Sequence, residues 1–463
     1  GDGSLGANTT GGDNTAVGKD ALLVNTTASN NTAIGRSALR LNTTGDNNVA
    51  LGLEALTANT VGDRSTALGS YALKSQNPSS NADMYNVAVG HNAGGDVTTG
   101  TNNTLIGGLA GDALTDADYN TALGYLALSA DTLGSNSVAV GAFALRDQNL
   151  TSATDSFNVA VGYNAGGDVT TGTQNTLIGG LAGDAITTAS NNTALGYAAL
   201  TANTTGANNV AVGEDALQAN TTASNNTAVG QQSMYYNTGT YNAALGQTAL
   251  HLNTTGNYNV AIGGSSLFSN TTASNNTAVG YQSLYANTTG AQLTALGYEA
   301  GRNNTTGGFT AVGYRAMYSN TTGNTGVAIG HDALFANTTG ADNTAVGAYS
   351  LKENTTSSQN TAVGYQALTS QTTGTNVNTA IGYRALAGGN SSNNYNNTAV
   401  GGYALEDNIG TNNTAVGRNA LLQNTTGSKN VAVGTDSLDA NTTSSNNTAV
   451  GYQALTGSTA GDN

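Results

Sequence analysis

Apolar residues in this chain recur in small groups at a fixed interval, not in the long mixed stretches of a globular core. A segment of the type Asn-Thr-Ala-Val precedes each of 26 glycines, which fall at Gly18, Gly35, Gly52 and Gly69 and continue to Gly434 and Gly451. Most lie 17 residues apart; departures include 16 (Gly230 to Gly246), 18 (Gly364 to Gly382), 19 (Gly382 to Gly401) and 21 (Gly69 to Gly90, Gly141 to Gly162). A repeat of this length reads as one coil of a solenoid, too small to bury an apolar face alone and able to do so against its neighbours.

Positions in the coil are counted from this glycine as zero. Position −3 is Thr or Val (Thr15, Val49, Val210), position −1 is Val, Leu or Ile (Val17, Leu51, Ile262), and Ala stands between them (Ala16, Ala50, Ala211) except at Leu105 and Leu177. Period two predicts a short strand, with the β-branched residues on a filled inner face and alanine on a flat outer one. Position +3 is Ala or Ser, and position +4 is Leu or Met except at Gly94, Gly111, Gly166, Gly183 and Gly301. A second short strand is expected here, with turns at the position-zero glycine and at the Asn-Thr-Thr-Gly segment, where Gly accepts positive φ and Asn and Thr bond turn backbone. The alternative is a one-turn helix, giving an α/β solenoid, although so short a helix nucleates poorly.

Each coil has only two or three large apolar side chains, so stacking must make the core. Rungs about 4.8 Å apart place Val on Val and Leu on Leu, and give a rod on the order of 120 Å long. Stacked amides form hydrogen-bonded ladders, expected of the column containing Asn25, Asn42, Asn220 and Asn253. The flat Ala/Gly face admits close approach of another backbone, either the opposite side of the same coil or a neighbouring chain. Residues 70–141 and 142–213 are duplicates of 72 residues, each with one 21-residue coil and the run NAGGDVTTGT. The expected fold is all-β, a parallel β-solenoid (β-roll) of about 26 coils forming one continuous array over residues 1–463, either trimeric or polymerised end to end.

Composition supports order. The chain has one Pro, no Cys, no Trp and 63 Gly, and 8% of its residues are charged. Disordered chains are rich in Pro, Glu and Lys, whereas here Thr, Val, Leu and Tyr stand in register. Net charge is −15 with 12 Lys and Arg spread thinly, so no basic patch exists to meet a phosphate backbone. Apolar runs are too short to cross a membrane as a helix. Absence of Cys excludes disulfides and thiolate metal sites. No signal peptide precedes Gly1, which fits a processed chain or an excised segment. Neither the opening GDGSLG nor the closing TAGDN is a polar cap, which predicts either a longer chain or end-to-end stacking.

Catalysis has little to work with. His91, His251 and His331 are far apart in a linear stack, and no G-x-S-x-G, H-E-x-x-H or P-loop pattern occurs. No enzyme activity, catalytic residue, cofactor or metal is expected. Asp96 and Asp168 in AGGDVTTG, and Asp112 and Asp184 in AGDA, lack the ligand spacing of calcium-binding β-rolls and are read as turn residues. Tyrosine recurs just after the position-zero glycine, at Tyr125, Tyr163, Tyr197, Tyr281, Tyr298, Tyr314, Tyr365, Tyr383 and Tyr452. This aromatic stripe either packs between rungs or chains or holds sugars by ring stacking. The Asn-Thr-Thr turn is also a glycosylation sequon, at Asn8, Asn25, Asn42, Asn203, Asn220, Asn253, Asn270, Asn287, Asn304, Asn320, Asn337, Asn354, Asn424 and Asn441. These Asn serve as buried ladder or glycan anchor, not both. Thr columns raise ice binding as a further alternative, although adjacent Thr26 and Thr27 point to opposite sides.

The segments NNTAVG, NNVAVG and NVAIG followed by xxAL resemble the head repeats of trimeric autotransporter adhesins and related repeats of phage tail fibres. The resemblance runs over essentially the whole chain. It implies a left-handed parallel β-roll, three chains packed around an axis, and a lateral surface that binds host matrix. The coil here is longer than the family's by its Asn-Thr-Thr-Gly extension, and neither a coiled-coil stalk nor a membrane-anchoring barrel is expected within residues 1–463. The resulting expectation is a secreted or cell-surface structural or adhesive fibre, self-associating and contacting surface glycans or host matrix, with a phage tail-fibre shaft as the alternative.

Overall fold

A computed structural model describes residues 1–374, 377–389 and 394–457. The closing TAGDN lies outside the described residues. The fold is an all-β parallel β-solenoid, and the described residues contain no helix, which removes the α/β alternative. The chain forms two compact units, Gly1–Thr238 and Gly239–Asn463. Among the described residues each unit contains thirteen three-residue strands, from Thr15–Val17 to Thr227–Val229 in the first and from Ala243–Leu245 to Thr448–Val450 in the second.

Within each unit, successive strands pair in parallel and without slip. Thr15, Ala16 and Val17 face Thr32, Ala33 and Ile34, and Thr344, Ala345 and Val346 face Thr361, Ala362 and Val363. One repeat thus climbs one rung, and like residues stack on like.

The strand faces are reversed from the sequence expectation. Ala33, Ala50, Ala211 and Ala278 are fully buried, whereas Val17, Leu195, Leu245 and Ile329 are 55%, 46%, 49% and 40% exposed. Alanine is the inner residue because position +4 already fills the coil: Leu22, Leu39, Leu217 and Leu284 are wholly buried. With that leucine facing the strand across the coil, the strand residue opposite it is small and the larger β-branched residues turn outward. The close approach allowed by the Ala face is to the opposite side of the same coil.

The second arm of the coil is not a strand either. It is a run of turns in which positions +2 and +4 both take left-handed backbone, as at Asp20 (φ 58°) and Leu22 (φ 50°). A leucine in this region costs roughly 1–2 kcal/mol, against about 1.5–3 kcal/mol gained by burying it. Coil-to-coil bonds add to the gain: Ser37 N donates to Lys19 O at 2.9 Å and Leu39 N to Ala55 O at 3.0 Å. Burial and these bonds together outweigh the backbone strain.

Position zero is glycine for two reasons at once. At Gly280 φ is +131°, and a Cβ there would lie 2.2 Å from the carbonyl oxygen of Gly297 on the next rung. The two 21-residue coils use their extra length to build a second small parallel pairing, Gly62–Asp63 with Ala82–Asp83 and Gly134–Ser135 with Thr154–Asp155. A second strand therefore occurs at the duplicated long coils and not once per coil.

Candidate interaction surfaces

Because the interior of each coil is filled, the surfaces able to meet a partner are the two outer arms. On the strand arm, positions −3 and −1 form two parallel rows of Thr or Val and of Val, Leu or Ile. Leu51, Leu123 and Leu195 in the first unit and Ile262, Ile329 and Ile381 in the second are each more than a third exposed. The period-two pattern located these rows; only their direction was misread.

The Asn column at position +7 lies inside and forms the ladder. Asn42 Nδ2 donates to Asn25 Oδ1 at 3.1 Å and to Gly45 O at 2.9 Å, so each amide bonds both its neighbour and its own turn. Asn220 repeats the first contact with Asn203 at 3.0 Å, and Asn270 with Asn253 at 2.7 Å. The sequon residues Asn25, Asn42, Asn203, Asn220, Asn253, Asn270, Asn287, Asn304, Asn320, Asn337, Asn354, Asn424 and Asn441 are all buried, and Asn8 is exposed. In the folded coil a glycan on any of the buried thirteen would have to displace a ladder bond. A second ladder, overlooked in the sequence, runs at position −4. There Asn48 N donates to Asn31 Oδ1 at 2.9 Å and Asn259 N to Asn242 Oδ1 at 2.9 Å. Its signal was the Asn standing before the strand in coil after coil. The first Thr of many Asn-Thr-Thr turns is also committed to the stack, Thr43 Oγ1 donating to Thr60 O at 3.0 Å and Thr338 Oγ1 to Thr355 O at 2.9 Å.

On the turn arm, Tyr125, Tyr163, Tyr197, Tyr281, Tyr298, Tyr314, Tyr365, Tyr383 and Tyr452 are all exposed at their edges. Many of these rings pack on a ring one rung away. Tyr298 and Tyr314 stack at 5.3 Å and 9°, and Tyr365 and Tyr383 at 5.4 Å and 11°. His331 and His91 belong to the same columns, His331 stacked on Tyr314 at 4.9 Å and His91 edge-on to Tyr71 at 5.8 Å. Where the preceding rung has glycine at this position, tyrosine covers it: a Cβ on Gly108, Gly180 or Gly264 would touch the ring of Tyr125, Tyr197 or Tyr281. A second column at position +5 was not foreseen. It carries His251, Phe268 and Tyr285, then Arg302, whose guanidinium lies 5.2 Å from the Tyr285 ring and 5.7 Å from that of Tyr318.

Asp96 and Asp168 of the duplicated block stand in ion pairs. Asp96 meets Lys74 at 3.7 Å, and in the second copy Asp168 meets Arg146 at 3.1 Å. Burial pushes the carboxyls of Asp112 and Asp184 above the usual aspartate range, with the like charges of Asp96 and Asp168 adding to it. Among the described residues, no three His, Cys, Asp or Glu side chains converge as a metal site would require, and no helix is long and apolar enough to cross a membrane.

No protein-family model matches the chain, and no curated protein matches it. The coil itself, with parallel three-residue strands in register and one per repeat of about 17 residues, is consistent with the β-roll fold.

Proposed function

We propose that this chain is a structural, non-catalytic fibre protein whose copies associate side by side through their strand arms. The supporting observation is the outward row of Val, Leu and Ile at position −1, repeated on every rung. Registered apolar side chains on a flat face gain most by meeting a second such face and excluding water. Thirteen rungs of three residues in one unit span a face of about 600 Å² in projection. One partner's share of a standard stable interface is ~800 Å², so a single unit comes close. The resemblance to adhesin head repeats supports a secreted or cell-surface setting and an adhesive role; the similar tail-fibre repeats support a virion shaft instead. Electron microscopy of the purified chain over a concentration series tests the reading. Paired or bundled fibres support it, and separate single chains at every concentration oppose it.

The outward Thr row at position −3, Thr32, Thr66 and Thr277 among it, favours one second reading, a regular flat surface that orders water as ice does. Thermal hysteresis at millimolar protein would support that reading, and freezing behaviour like that of a control protein would remove it.

A further inference from the structure

On the turn arm of the Gly239–Asn463 unit, the two aromatic columns cease to run together. Position +5 is bulky as far as Phe335, then falls to Lys352, Thr369 and Ala387, while the neighbouring aromatic wall continues through Tyr349, Tyr365 and Tyr383. The loss of bulk on one side opens a trough. It consists of two adjoining depressions of about 410 and 190 Å³ that share Gln366 and Thr369. Their combined size falls in the range typical of small-ligand sites, roughly 300–1,000 Å³.

Ring stacking breaks at this place. Tyr349 meets both His331 and Tyr365 edge-on, at 60° and 88°, whereas Tyr365 and Tyr383 stack at 11°. Polar groups surround the break. Glu353, Gln366 and Ser370 line it with a carboxylate, an amide and a hydroxyl. Lys352 lies 4.9 Å from the Tyr349 ring and 3.6 Å from Asp332, and Arg384 pairs with Glu406 at 2.7 Å. Arg384 Nε is a buried donor without a partner. The two cations are thus already matched by carboxylates, which leaves the trough without the net positive charge a polyanion would need.

We propose that this trough binds a short neutral saccharide. An apolar sugar face suits the exposed Tyr365 ring, and sugar hydroxyls, which both donate and accept, suit a mixed set of an amide, a carboxylate, a hydroxyl and a guanidinium N–H. The trough is on the turn arm, so this proposal and lateral association of the strand arms stand or fall separately.

The test uses the full chain and named probes: cellobiose, maltose, lactose and chitobiose, each at millimolar concentration, with heparin disaccharide as the anionic comparison. Binding is read by saturation-transfer NMR and calorimetry. At least one neutral disaccharide should bind, Gln366→Ala and Tyr365→Ala should each weaken it tenfold or more, and Tyr365→Phe and Tyr298→Ala should leave it within twofold. Tyr365→Phe preserves the ring stack, so its retained binding separates lost recognition from a disturbed fold. Absence of binding by all four neutral sugars, binding of heparin disaccharide alone, or indifference to Gln366→Ala would overturn the proposal.

Discussion

Leu105 occupies the space that Gly94 leaves empty: a Cβ placed on Gly94 would lie 2.7 Å from Leu105 Cδ1. Gly111, on the other side, is filled the same way, its Cβ falling 2.8 Å from Leu105 Cδ2. The duplicate repeats the exchange, with Leu177 between Gly166 and Gly183. One large side chain on the strand thus fills space left by two glycines on the turn arm, with Val97 and Leu114 buried beside it. The exchange also relieves strain, since Gly94 and Gly111 hold φ near 57° and 55° without a Cβ.

Leu105→Ala should therefore cost toward the upper end of the 2–5 kcal/mol known for such truncations, because neither flanking glycine has a side chain to collapse into the void. Adding Gly94→Leu to it refills one side of the void and should recover part of the loss. Chemical unfolding followed by circular dichroism checks both, and additive destabilisation by the pair would contradict the exchange.

The glycine column predicts a contrast between positions. Gly280→Ala would force its Cβ to 2.2 Å from Gly297 O, beside the Gly297 N to Val279 O bond of 2.7 Å that joins the two coils. At Gly108, one residue outside the column, an added Cβ would meet only the Tyr125 ring at 3.7 Å, an ordinary contact, so Gly108→Ala should be tolerated. Hydrogen exchange should show coils around residue 280 opening in the first variant and little change in the second. Equal effects would contradict the close backbone stacking.

The chain has no cysteine, which makes the direction of the strand directly measurable. Single cysteines at Val210, Ala211 and Val212 should label with a thiol reagent at the first and third positions and resist it at the second, since Ala211 is fully buried. Fast labelling at position 211 would restore the opposite face assignment.

That assignment marks the limit of what the sequence conveyed. Period two in Thr15-Ala16-Val17 identified a strand, and the spacing of Gly18 and Gly35 identified the coil, because both are set by backbone geometry. Which strand face points inward depended on what else competes for the interior. The answer lay in Leu22, whose left-handed backbone turns it into the coil, a conformation that leucine's propensities argue against. The Asn25–Asn42 ladder was legible because identical amides must stack. The +5 column was not, since Phe268, Tyr285, Arg302 and Tyr318 share stacking ability and no single residue type. The trough was hidden because it arises from missing bulk at Thr369 and Ala387.

Acid should not unfold this protein readily. Burial raises the carboxyls of Asp63, Asp112, Asp184 and Glu406 above their usual values. With folded values above unfolded ones, the folded state holds more protons between the two, so stability rises as pH falls through that window. Relief of repulsion among charges totalling −15 acts in the same direction. The thermal midpoint at pH 4.5 should equal or exceed that at pH 7.5, and a marked fall on acidification would contradict the burial of these groups.

The central claim is that copies of this chain associate through the strand arm, and molar mass by sedimentation or light scattering tests it most directly. At micromolar concentration the chain should have a mass that is a multiple of 45.9 kDa. Replacing the outward Leu123, Leu195, Leu245 and Leu296 together by lysine should return it to the single-chain mass with an unchanged circular dichroism spectrum. A wild-type chain that stays at 45.9 kDa at every concentration, or an oligomer indifferent to those four lysines, would contradict the account.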